Sequence, residues 1–150
     1  MRVWRICRAA HRALDGEGAR LYGGRWNAEG APAVYTSASL ALAALEYLVH
    51  IDPVDVPDDL LAMSLDVPDN AAALVVTVAQ LPRGWRRLPD HPACVRIGVR
   101  WLAEGTALLL RVPSVVVPEE TNVLINPGHP RAKDLRVVST RPFAFDPRLL

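Results

Sequence analysis

Gly23–His50 reads GGRWNAEGAPAVYTSASLALAALEYLVH, and the order of its parts decides the fold. A glycine-bearing loop comes first. A short apolar strand follows at Ala33–Thr36, and a helix comes last at Ser39–His50. P-loop and dinucleotide fingerprints need strand, tight glycine turn and helix in that order. Here the glycines precede the strand, so neither fits. Working outward, Val3–Arg8 reads as a strand. Ala13–Gly30 reads as a loop in which five of 18 residues are glycine. Leu60–Val67 and Ala72–Val78 read as further strands. Gly84–Pro92 is irregular, with Trp85 an anchor, and Ala93–Glu104 is a helix capped by Gly105. Thr106–Val117 is a strand broken at Pro113, and Asn122–Asn126 is extended. Pro127–Asp134 is a turn, and Leu135–Phe145 is a closing strand. Strands outnumber helices and do not alternate with them regularly. This predicts an α+β fold, with a mixed or antiparallel sheet at the core and helices flanking it.

The 150 residues suit one domain with a real core. Apolar residues make up 51% and charged residues 22%, as in a soluble globular chain. A net charge of +1 predicts no direct nucleic-acid binding. No apolar run reaches the roughly 18 residues that span a bilayer, so no membrane association is expected. The N-terminus alternates Arg with apolar residues and lacks the pattern of a signal peptide. Cys7 and Cys94 have neither metal nor redox spacing and read as buried free thiols in a reducing cytoplasm. None of the four histidines has ligand spacing, so no metal site is expected.

Three residues in and after the opening stretch carry chemistry. Arg25 sits between glycines and a Trp, and an arginine forks onto phosphate oxygens in a fixed plane. Gly23 and Gly24 leave backbone N–H groups accessible to an anion. Tyr35 offers a flat ring with a polar tip. Glu46 occupies the i+4 position of an apolar stripe formed by Leu42, Leu45 and Val49, where packing alone would place Leu or Ala. A buried charge is costly unless paired, and His50 lies one turn further along. The alternative is a Glu46 at the stripe's edge that points to water. Phosphate-binding, ring-stacking and carboxylate groups together suit a dinucleotide such as NAD+.

The run Trp4-Arg5-Ile6, Gly23-Gly24-Arg25-Trp26-Asn27, Gly30, Val34-Tyr35, Ala43 and Glu46 resembles the RES domain. Val112-Pro113-Ser114, Asn122 and Asn126-Pro127 continue the resemblance, which covers the chain from Arg5 to about Val138. The resemblance implies an ADP-ribosyltransferase-like fold and the toxin half of a toxin–antitoxin module. It implies NAD+ as substrate and an Xre-like helix-turn-helix antitoxin as partner. By resemblance, Arg5 holds the nicotinamide-side phosphate or ribose, and Arg25 clamps the pyrophosphate beside Gly24. Tyr35 stacks on nicotinamide, and Glu46 stabilises the charge that develops at the ribose. Ser114 hydrogen-bonds the ribose or carboxamide, and Asn122 or Asn126 trims the pocket.

Cleavage of the nicotinamide bond needs no proton for the leaving ring, which departs neutral. One fixed carboxylate near the ribose carbon suffices for bond breaking. Ala44 and Leu48 stand where a Glu-x-Glu pair would put a second carboxylate, which favours water or phosphate as acceptor. NAD+ degradation, by hydrolysis or phosphorolysis, is therefore the leading expectation. Transfer of ADP-ribose to a specific cellular protein and a silent antitoxin-binding module are the alternatives. Intact Arg5, Arg25, Tyr35, Glu46 and Ser114 speak against the silent module.

Overall fold

A computed structural model describes all 150 residues. The elements are β1 (Arg2–Arg8), α1 (Glu17–Tyr22), β2 (Val34–Ser37), α2 (Leu40–Leu48), β3 (Leu60–Asp66), β4 (Ala73–Val75), α3 (Pro92–Glu104), β5 (Leu109–Pro113), β6 (Thr121–Ile125) and β7 (Arg136–Pro142). The strands form one seven-stranded sheet in the order β4-β5-β6-β2-β1-β3-β7. Every pairing is antiparallel except β4 with β5. The expected α+β fold with a mixed sheet is the one found. No helix is long and apolar enough to cross a membrane.

Strand register divides the side chains between two faces. Trp4 pairs with Ser37, Ser37 with Asn122, and Asn122 with Val112. Residues paired across neighbouring strands point the same way, and successive residues alternate. One face therefore carries Trp4, Tyr35, Ser37, Asn122 and Leu124. Over it lie α2, packed with Ile6, Leu60 and Phe145, and a second cluster around Trp26, Trp85, Cys94 and Trp101. The other face carries Val3, Val34, Leu109 and Val123 in a separate apolar layer.

Three elements differ from the sequence expectation, each for a local reason. Two glycines of residues 13–30 bracket a helix that contains a third, Gly18, instead of leaving a loop. Gly16 enters α1 at φ 70° and Gly23 leaves it at φ 68°. Between them Glu17 pairs with Arg20 one turn on, at 2.5 Å, a favourable i,i+3 arrangement. β4 is only three residues long. Val76 N–H makes its last bond to the Arg111 carbonyl at 2.9 Å. Thr77 and Gln80 then cap a 3-10 turn that leads the chain away. β5 ends at Pro113, because the Ser114 hydroxyl accepts from the N–H groups of Val116 and Val117 and closes a turn.

α3 crosses closest to the opening stretch at Gly98. A Cβ there would lie 1.5 Å from the Trp26 carbonyl oxygen, so only glycine allows the helix to seat on residues 24–27.

Candidate active site

Ser39 caps α2 by accepting from Leu42 N–H at 3.1 Å, which sets the rotation of the helix. Its buried arc is not the expected stripe. Leu42 is 2% exposed, but Leu45 is 38% and Val49 57% exposed. The inward arc runs through Leu42, Ala43, Glu46 and Tyr47. Glu46 therefore does face the protein, on a stripe turned toward β1 and β2. His50 is exposed and makes no bond to it.

The Glu46 carboxylate meets two of the expected residues. Its Oε1 accepts from the Ser114 hydroxyl at 2.6 Å and from Asn122 Nδ2 at 2.5 Å. Asn122 is held in that orientation because its Oδ1 accepts from the Ser37 hydroxyl at 2.7 Å. Ser37 and Asn122 are directly paired across β2 and β6. Oε2 has no protein partner and is not sealed from solvent. The result is a fixed carboxylate with one oxygen bound and one free, at the ends of β2, β5 and β6. Charge-assisted bonds of this kind are the stronger ones.

Tyr35 belongs to a different set of contacts. Its hydroxyl donates to Asn27 Oδ1 at 2.7 Å and accepts from Trp26 N–H at 3.1 Å. Burial pushes the phenol pKa up. A Cβ on Gly24 would sit 2.7 Å from this hydroxyl, so Gly24 makes room for the Tyr35 contact. Asn27 Nδ2 in turn donates to the carbonyls of Ala19, Ala28 and Ala31.

Arg25 does not present an open fork. Its side chain is 11% exposed. It donates to the Trp85 carbonyl at 2.6 Å and the Arg87 carbonyl at 3.2 Å, and it pairs with Asp90 at 3.3 Å. Its donors hold the 85–90 segment.

Arg5 and Asn126 are not brought to Glu46. Arg5 alternates with Trp4 along β1 and so points to the opposite face of the sheet. Its guanidinium donates to the carbonyls of His11 and Ala13, each at 3.1 Å. It lines a separate depression of about 110 Å³ with Asp15 and Glu17. Asn126 lies just past the far end of β6 from Asn122, where its Oδ1 accepts from Gly128 N–H at 2.9 Å. Of the two asparagines, Asn122 is the one beside Glu46. A larger depression of about 320 Å³ opens where β4 leaves β5, between Val76, Arg111 and Thr121, and does not reach Glu46.

Sequence reading missed Ser37, Asn27 and Asp90 as partners. Asn27 was visible within the opening motif. Ser37 and Asp90 had no local signal, since each matters only through a long-range contact.

The chain matches the RES domain over residues 2–146. It is 41% identical over 153 aligned positions to a protein of Sphingobium sp. (strain YBL2) named Prs ADP-ribosylating toxin, covering 98% of this chain and 95% of that one. It is 36% identical over 156 positions to Toxin Res of Photorhabdus laumondii, covering 100% and 97%. The fold is similar to a chain in the crystal structure of the M. tuberculosis MbcT–MbcA toxin–antitoxin complex. The TM-score is 0.80 at 22% identity, covering 99% of this chain and 85% of that one.

Proposed function

The chain belongs to the RES domain family, and we propose that it is a toxin enzyme that breaks the nicotinamide–ribose bond of NAD+. The observation that carries this reading is the Glu46 carboxylate, fixed through Oε1 by Ser114 and Asn122 with Oε2 left open. When the C–N bond breaks, its electron pair goes to the ring nitrogen and nicotinamide leaves neutral. Positive charge then develops at the ribose carbon. A carboxylate whose orientation is already fixed stabilises that charge without reorganising, the largest kind of single contribution in such reactions. Ser114 and Asn122 position the carboxylate, and Ser37 positions Asn122. Tyr35 and Gly24 fix the loop that carries Arg25.

The acceptor completes the balance. Water gives ADP-ribose and a proton, phosphate gives ADP-ribose 1″-phosphate, and a protein nucleophile gives an ADP-ribosylated protein. No second carboxylate bonds within the Glu46 cluster, which supports water or phosphate. The name of the Sphingobium relative supports a protein acceptor as the second reading. A helix-turn-helix antitoxin is the proposed partner. Exposed Leu21 and Tyr22 precede the Arg25 loop, and exposed Leu88 sits in the segment that Arg25 holds. An apolar surface of this kind suits a docking protein.

The deciding experiment incubates the pure protein with NAD+, with and without phosphate and cell lysate. Release of nicotinamide is the expected result. ADP-ribose, its 1″-phosphate or a labelled protein band identifies the acceptor. Intact NAD+ under all conditions refutes the enzyme reading.

A further inference from the structure

We infer that β4 is a docking edge for a second copy of this chain, the two β4 strands pairing antiparallel about Leu74. The inference does not depend on the substrate.

The sheet has two edge strands, and they are guarded differently. An edge strand presents unpaired N–H and C=O groups, which charge, proline or a bulge normally protects. β7 has such guards. Arg136, Arg141 and Pro142 lie along it, and its pairing with β3 is interrupted by a register shift. β4 has none of them. Residues 70–82 carry no charge at all, and Leu74 and Val75 are 44% and 52% exposed.

The hydrogen-bonding groups of β4 divide by alternation. The Ala72 carbonyl accepts from Leu109 N–H, and Val76 N–H donates to the Arg111 carbonyl. Leu74 therefore turns its N–H and C=O toward β5, and Ala73 and Val75 turn theirs outward. A second copy in antiparallel register sets Ala73 opposite the partner's Val75, and Val75 opposite the partner's Ala73. Each such pair exchanges both N–H···O bonds. Leu74 meets its own copy at the twofold axis, in the closer, non-hydrogen-bonded kind of pair.

The side chains suit the same register. Ala71-Ala72-Ala73-Leu74-Val75-Val76-Thr77 places three alanines before the axis and three β-branched residues after it. Every pair about the axis thus sets a small side chain against a larger one, and no charge meets its like. Leu74 pairs with Leu110, and Leu110 with Leu124. The two Leu74 side chains would extend the apolar cluster of Leu110 and Leu124 from one copy to the other. The contact is smaller than the ~800 Å² per partner of a standard interface, so a Kd of about 1–100 μM is expected.

Sedimentation of the full chain from ~1 μM to ~1 mM brackets that range and tests the inference. The parent should pass from monomer to dimer. Leu74→Lys and Leu74→Glu should each weaken the dimer at least ~10-fold, because like charges then face each other at the axis. Leu74 is exposed, so both variants should melt close to the parent. An equimolar mixture of the two should recover the dimer, since unlike charges then meet. Val137→Lys, on β7, should leave it unchanged. Hydrogen exchange on the parent needs no substitution. The Ala73 and Val75 amides should gain protection as concentration rises, and Leu74 should be protected throughout. A parent that stays monomeric at ~1 mM overturns the inference. So does a dimer that survives both Leu74 variants, or a mixture that stays monomeric. Exchange at Ala73 and Val75 that ignores concentration overturns it too.

Discussion

Replacing Glu46 by Gln isolates the charge from the geometry. The two hydrogen bonds that orient the side chain both end on Oε1, and Gln retains a carbonyl oxygen there. The amide nitrogen replaces Oε2, which has no protein partner. The fold therefore keeps every contact and loses only their charge assistance. A bond to a charged group contributes about 1.5–3 kcal/mol and a neutral one about 1. For bonds that are partly buried the loss should total no more than about 2 kcal/mol, or ~4–8 °C in melting temperature at this length. Catalysis should suffer more. Removing one preorganised electrostatic stabiliser costs about 10²–10³ in kcat, so nicotinamide release should fall at least ~100-fold. Glu46→Ala is the contrasting control, because it strands the Ser114 hydroxyl and the Asn122 amide at about 1–3 kcal/mol each. The assay is nicotinamide release by chromatography, run beside a thermal melt. A folded Glu46→Gln protein with more than a tenth of parental turnover would refute the catalytic assignment.

Other consequences are open to direct measurement. Gly98→Ala should lower stability by about 1–3 kcal/mol through overpacking against the Trp26 carbonyl, read as a melting shift. A variant that melts with the parent would mean that α3 shifts freely over residues 24–27. Tyr35→Phe leaves Trp26 N–H and Asn27 Oδ1 without their shared partner and should cost about 1–3 kcal/mol. Burial holds the phenol of Tyr35 and the thiols of Cys7 and Cys94 above their ordinary values. In that window the unfolded chain gives up protons that the folded chain keeps, so stability falls as pH rises. The decline should begin above about pH 8.5 for the thiols and steepen above about 10 for the phenol, and Tyr35→Phe should flatten the steeper part. In cells, the protein produced alone should deplete NAD+ and arrest growth, and co-expression of a neighbouring helix-turn-helix protein should relieve the arrest. Unchanged NAD+ and normal growth with active protein present would count against the toxin reading.

Legibility followed the range of the interactions. β1, β3, α2 and α3 were readable because local pattern and capping agree, as with Ser39 before α2 and Gly105 at φ 62° after α3. α1 was not, because glycine density masked the fact that Gly16 and Gly23 stand at its ends and not within it. Glu46 faces inward, but not on the stripe that the spacing predicts. The spacing predicts a buried stripe of Leu42, Leu45 and Val49, whereas tertiary packing buries the neighbouring arc. Both arcs contain Glu46. Arg5 could not be separated from Glu46 by sequence, since the face of a strand becomes known only with its register.

The opening stretch shows why the clearest motif did not disclose the site. Gly23 turns the chain at positive φ, and Gly24 leaves space for the Tyr35 hydroxyl. Arg25 holds residues 85–90, and the Trp26 carbonyl receives α3 at Gly98. Asn27 ties three carbonyls together. Together the residues of Gly23–Asn27 end α1 and join its loop to β2, α3 and the 85–90 segment. A motif with that task must be chemically distinctive, because each group answers a separate steric or hydrogen-bonding demand. The proposed reactive cluster has the opposite character. Glu46 meets Ser114 and Asn122 across 68 and 76 residues of chain, and each of these is unremarkable in its own sequence context. The scaffold at residues 23–27 holds one side of the proposed site, and Arg25 bonds the 85–90 segment in doing so.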